Sequence, residues 1–310
     1  MKLLAALAAQ GRRLLIAGLV VGIAFPGLAE RFAPAVVPLL ALMLCLAALR
    51  EGPVAVLPRA GETRRALVMV LALQALPPLV AGGALWAAGL MSAPLAIGAV
   101  LALAGAPIVG APGFAVMVGG DARVALRQVT MGTALLPFTA APVLALLPVF
   151  PDPLAVALGA LRLLAVVVLA SGAALVLGAL VPALCRPRAR PALDAIMTLA
   201  MALVVIGLMS AMGPAIRVAP GRLIIVLALA MGLHLVQTLG AWLAARAAMS
   251  RPEALALAIA AGNRNLALFL AAMPSEAAAP LMLFVGCYQV PMYLTPMILP
   301  RLARARGGSQ

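Results

Sequence analysis

Gly105-Ala106-Pro107-Ile108-Val109-Gly110-Ala111-Pro112-Gly113 lies within one long apolar run, and Gly262-Asn263-Arg264-Asn265 lies within another. A regular helix does not pass undisturbed through two prolines and three glycines in nine residues. Each proline deletes a backbone hydrogen bond, and each glycine has more conformational freedom to lose. The second stretch sets a fixed cation between two asparagines, with apolar sequence on both sides. Freed backbone groups in apolar surroundings must be satisfied by ligand, water or neighbouring helices. Both stretches therefore read as breaks in membrane helices.

The sequence around them supports this. Of 310 residues, 66% are hydrophobic and 10% charged, against about 45–50% and about 25% in soluble domains. No soluble fold of this size hides so much apolar surface, so the bilayer is the expected solvent. The polar sequence left over is too short for a soluble catalytic domain, and no enzyme activity is expected. Spans need about 20 mostly apolar residues each. Ten segments qualify: 13–29, 33–50, 64–90, 92–119, 122–147, 153–181, 192–214, 221–247, 252–273 and 277–301. The breaks fall in the fourth and ninth.

The net charge of +14 does not point to nucleic acid, because the basic residues sit in short clusters between apolar runs and aromatics make up only 4%. Those clusters set topology. With both termini cytoplasmic, seventeen of the 22 Lys and Arg fall inside, from Lys2, Arg12 and Arg59 to Arg186–Arg190, Arg301, Arg304 and Arg306. Three fall outside (Arg31, Arg217 and Arg222), and Arg162 and Arg264 lie within spans. The apolar stretch after Lys2, Arg12 and Arg13 is expected to be the first span rather than a cleaved leader. Cys45, Cys185 and Cys287 match neither a zinc motif nor a redox pair.

Gly132-x4-Pro137-x4-Pro142 in the fifth segment recurs as Gly286-x4-Pro291-x4-Pro296 in the tenth, 154 residues later. This divides the chain into two five-helix repeats, 1–150 and 151–310, within one membrane domain. Five being odd, the halves have opposite orientation, the inverted-repeat plan of many secondary transporters, whose sites lie at paired interrupted helices.

The candidate site residues follow from that plan. Arg264 is the most informative, since a charge at a span centre requires a partner or a wet cavity. It reads either as a bidentate receptor for a carboxylate or sulfonate or as a clamp on the exposed carbonyls. Asn263 and Asn265 read as ligands or as caps of the half-helix that follows. Gln74, just before Pro77-Pro78, reads as a cavity ligand or an interhelical bond. Thr130, Thr133 and Gln289 are weaker candidates. His234, the one histidine, is a candidate proton site or a packing residue. All eight acidic residues, Glu30, Glu51, Glu62, Asp121, Asp152, Asp194, Glu253 and Glu276, lie in or beside loops, so no intramembrane carboxylate is available to bind Na⁺ or H⁺.

Ten spans, broken fourth and ninth helices and the G-x-x-N of Gly262–Asn265 together resemble the bile acid:sodium symporter family. The resemblance covers nearly the whole chain in architecture. Gly262 and Asn265 match the family's ninth-helix motif, while Ala260 stands at its Na⁺-binding glutamate and Arg264 at its glutamine. Pro107 matches the fourth-helix crossover, where Gly113-Phe114 replaces a Ser-Asn pair. Gln74 falls at a third-helix glutamine and Thr130 and Thr133 near fifth-helix hydroxyls. What the resemblance implies is a carrier with a panel of helices and a core that rocks against it. Its Na⁺ partner is put in doubt by Ala260 and Arg264.

The expectation is thus an all-α carrier of a small organic anion, bound at Arg264, Asn263, Asn265, Gly262, Pro107, Pro112 and Gly113, working by alternating access in a bacterial inner membrane. No cofactor is expected, monomer and homodimer both stay open, and the partners are the anion and the lipid bilayer. Alternatives are a Na⁺- or proton-coupled symporter of another substrate class, and, less favoured, a membrane-embedded enzyme or a channel.

Overall fold

The computed structural model describes residues 10–51 and 60–307. Lys2 and Arg59, and the side chains of Arg12, Glu62, Arg301, Arg304 and Arg306, lie outside the described residues. Among the described residues there are helices and no strands, apart from one isolated antiparallel bridge between Pro107 and Arg264. Six helices among the described residues are long and apolar enough to cross a membrane: Pro26–Glu51, Thr63–Ala87, Pro153–Leu180, Pro187–Val218, Pro220–Ala245 and Ser275–Leu294. Their outward faces are bare hydrocarbon; Leu169 and Leu180 are 71% and 73% exposed. An apolar exterior of this extent needs lipid around it. The chain is a helical membrane protein.

In chain order the helices are α1 (Gly11–Ala24), α2 (Pro26–Phe32), α3 (Val36–Glu51), α4 (Ala60–Gln74), α5 (Leu76–Ala87), α6 (Pro94–Ala104), α7 (Ala111–Met117) and α8 (Ala122–Leu144). After them come α9 (Pro153–Leu180), α10 (Arg190–Leu208), α11 (Met212–Val218), α12 (Pro220–Ala245), α13 (Arg251–Gly262), α14 (Ser275–Ala278) and α15 (Met282–Gly307). Proline starts many of them. Pro26, Pro94, Pro153 and Pro220 each stand at the first helical position, where the missing N–H costs nothing. Asp121 and Asp152 cap α8 and α9 by accepting from the N–H of Arg123 and Ala155 at 2.7 and 2.8 Å. Pro137 and Pro142 sit inside α8 without ending it.

The ten expected segments are not matched one for one: 13–29, 92–119, 122–147 and 252–273 hold no helix of that membrane-crossing kind among the described residues. The first turn falls at Phe25, not near residue 30, and Arg31 belongs to α2. Pro26 is the cause, since it cannot continue the bonding of α1 but begins α2 well.

The helices pack as two groups. α10 lies against α1, α2 and α3, and α9 against α3. In the other group α12 packs on α13 and α15, and α8 on α4, α7 and α13. α9 and α8 join the groups along one side. Some of the helix ends counted as inside in the sequence contact one another: Arg50 pairs with Asp194 at 2.6 Å, Arg65 with Glu253 at 3.6 Å, and the Asp121 N–H bonds the Pro252 carbonyl at 2.9 Å.

Candidate functional site at the crossing of two broken helices

Both expected breaks are present and touch each other. α6 stops at Ala104, and helix resumes at Ala111. α13 stops at Gly262, and a 3-10 turn begins at Leu266. The two open stretches run antiparallel: Ile108 N–H donates to the Asn263 carbonyl at 2.9 Å, and Asn265 N–H to the Ala106 carbonyl at 2.7 Å. Gly105 permits the approach, since a Cβ there would stand 3.2 Å from the Arg264 Cβ.

Arg264 is 2% exposed, and its guanidinium donates to three carbonyls. Nε reaches Ala261 at 2.7 Å, Nη1 reaches Gly105 at 3.0 Å and Nη2 reaches Leu73 at 2.5 Å. Each carbonyl is orphaned for a local reason. Leu73 has Pro77 four residues on, with no N–H to give. Ala261 has Asn265, whose N–H is committed to Ala106. Gly105 closes α6 at the break. The three carbonyls lie at the C-terminal ends of α4, α6 and α13, the negative ends of helix dipoles.

Two further carbonyls at the α13 terminus are also bonded, while Asn263 Oδ1 is buried without a partner. The Ile259 carbonyl accepts from the Asn263 N–H at 3.0 Å and from Asn263 Nδ2 at 2.8 Å. The Gly262 carbonyl accepts from His234 Nδ1 at 2.9 Å and Tyr288 Oη at 2.8 Å, which places the histidine proton on Nδ1. Gln237 Nε2 donates to Tyr288 Oη at 3.0 Å. Tyr288 and Gln237 were not singled out from sequence, since a tyrosine or glutamine in an apolar span shows no spacing signal of its own.

Of the remaining candidates, Gln74 forms the interhelical bond: Nε2 donates to the Gly132 carbonyl at 3.0 Å and to Thr139 Oγ1 at 2.7 Å. Thr130 bonds back to Arg127 on its own helix, the usual habit of Thr in a span. Thr133 is buried on the same helix. Pro112 and Gly113 belong to the first turn of α7, and Gly113 is exposed, away from Arg264. Asn265 does not cap the following turn with its side chain.

Asn265 instead lines a small cavity between the two helix groups. Met43 of α3 and Met201 of α10 face Ile108, Arg264, Asn265, Gln289, Met292 and Tyr293 across it. Its volume is about 20 Å³, room for about one water. Tyr293 Oη points to Met201 Sδ at 3.7 Å across the divide.

No family model matches the chain, and no curated protein does. The chemistry of the crossing therefore has to be read from its own residues.

Proposed function

We propose that this protein is a secondary transporter that moves a small organic anion by alternating access. One observation carries the proposal: a buried cation without a carboxylate partner among the described residues stands beside a cavity lying between two groups of helices. Three of the five guanidinium N–H groups are used by carbonyls; the other two are left for an anion. Asn265 and Gln289 add polar atoms at the same place. The opposite walls are thioethers and hydrocarbon, from Met43, Met201 and Met292. Methionine adapts to irregular apolar shapes, so the wall suits an amphipathic substrate with a flexible apolar body and a carboxylate or sulfonate head.

In this reading the ten segments form two inverted repeats, 1–150 and 151–310, in an inner membrane with cytoplasmic termini. The group holding the crossing rocks against the group of α1–α3, α9 and α10. The arginine stands in for a coupling ion, and neither Na⁺ nor another cofactor takes part. His234 is read as a structural donor: its Nδ1–H is bonded to Gly262, and its Nε2, where a carried proton would bind, is buried with no hydrogen-bond partner.

The test is reconstitution in liposomes and uptake of labelled carboxylates and sulfonates, with and without Na⁺. At least one anion should enter without Na⁺ and should also raise the melting temperature of the detergent-solubilised protein. A ligand at about 100 times its Kd adds ~2.7 kcal/mol of stability. Asn265→Ala and Gln289→Leu should weaken both effects at least tenfold while melting near the wild-type temperature. Uptake of no anion, or uptake only with Na⁺, would sink the proposal.

A further inference from the structure

The Arg264 cluster has a feature that substrate binding does not require. Three helices that are distant in sequence are interrupted at one point, α6 and α13 by ending there and α4 by the break at Ala75 before α5. Their orphaned carbonyls, Leu73, Gly105 and Ala261, converge on one planar group. Converging carbonyls and half-helix C-termini are the surroundings in which membrane proteins coordinate small cations. Emptied of the guanidinium, the carbonyls of Gly105 and Ala261 would be buried acceptors and that of Leu73 a part-buried one, each having lost its donor at a cost in free energy.

We propose that the carbonyls of Leu73, Gly105 and Ala261 form a monovalent-cation site whose resident occupant is the Arg264 side chain. The site takes a guanidinium or a small alkali cation. It is filled from within the chain, so the native protein has no need of a diffusible cation to hold α4, α6 and α13 together. The geometry accounts for the residue type. A guanidinium spreads one charge over five N–H groups in a plane and reaches three acceptors at once, whereas a lysine ammonium is a point charge on a flexible stem. This assignment deepens the reading in which the arginine stands in for a coupling ion, and its test concerns stability with no substrate present.

The experiment is thermal unfolding of full-length protein in detergent, titrated with millimolar guanidinium chloride, NaCl or KCl, with choline chloride as the control for ionic strength. Wild type should not respond to any of them beyond choline. Arg264→Ala should melt lower by about 5 °C or more, and guanidinium, Na⁺ or K⁺ should restore at least half of the loss with a saturable dose response. Because the alanine variant can fail to fold, Arg264→Lys and Arg264→Gln are measured beside it. The lysine variant keeps the charge without the fork and should melt above the glutamine variant, which keeps a donor without the charge. An alanine variant that gains nothing over choline, lysine and glutamine variants that melt alike, or a wild type stabilised saturably by Na⁺ would each overturn the assignment. Uptake plays no part in the readout, so failure here is separable from failure of the transport proposal.

Discussion

At the residue scale, glycine 262 is where the site is least forgiving. A Cβ at Gly262 would run into Thr238 Oγ1 and come within 3.0 Å of the His234 ring. Neither neighbour is free to retreat, because Thr238 donates to the His234 carbonyl at 2.8 Å and His234 to Gly262 itself at 2.9 Å. Overpacking at such a place costs roughly 1–3 kcal/mol. Gly262→Ala should therefore lower the melting temperature by several degrees. Gly113→Ala should leave it unchanged or raise it slightly, since a Cβ at Gly113 meets nothing within 4 Å. Equal melting of the two variants would show that the contact around Gly262 is loose. Both glycines stand in the stretches that the sequence singles out, yet composition alone does not separate them. What differs is the neighbour across the gap, and neighbours are not written in a local pattern.

At the scale of elements, the buried end of α13 is kept in place by two donors on one carbonyl. His234→Leu leaves Tyr288 on the Gly262 carbonyl, and Tyr288→Phe leaves His234 there. Each single change should cost about 1 kcal/mol, the usual net worth of such a bond. The double variant strands a buried carbonyl at a helix end, so its cost should exceed the sum of the two single costs by about 1 kcal/mol or more. Simple additivity in a double-mutant cycle on unfolding would mean that the carbonyl finds another partner. The breaks themselves were legible, because proline and glycine interrupt helices by local chemistry. A third interruption, at Ala75 between α4 and α5, follows from Pro77-Pro78 by the same rule. The partnership of these ends was not legible. Arg264 and Leu73 are 191 residues apart, and nothing in either neighbourhood encodes the other. The clamp and the ligand readings of Arg264 are both open in sequence; the three carbonyls favour the clamp, and the two spare N–H groups keep the ligand role available.

At the scale of the whole molecule, the question is whether the two helix groups move. The cavity between them has room for about one water, too little for any organic anion, so a carrier must open it first to one side and then to the other. Met292 of α15 lies on its wall and is 1% exposed, which makes it a reporter of opening. The background is simple to clear: Cys185 is exposed, while Cys45 and Cys287 are buried, so Cys185→Ser removes the accessible native thiol. Adding Met292→Cys to that variant places one thiol in the cavity. If the groups rock, a membrane-impermeant thiol reagent should label it from either face of sealed vesicles, slowly compared with Cys185 in the wild type. An anion that binds should reduce labelling from both faces. Labelling from one face only would describe a crevice that opens one way, as a sensor or channel vestibule does. Labelling from neither would describe a rigid bundle. In both cases the crossing at Arg264 would be a structural lock between helices rather than the centre of a transport cycle.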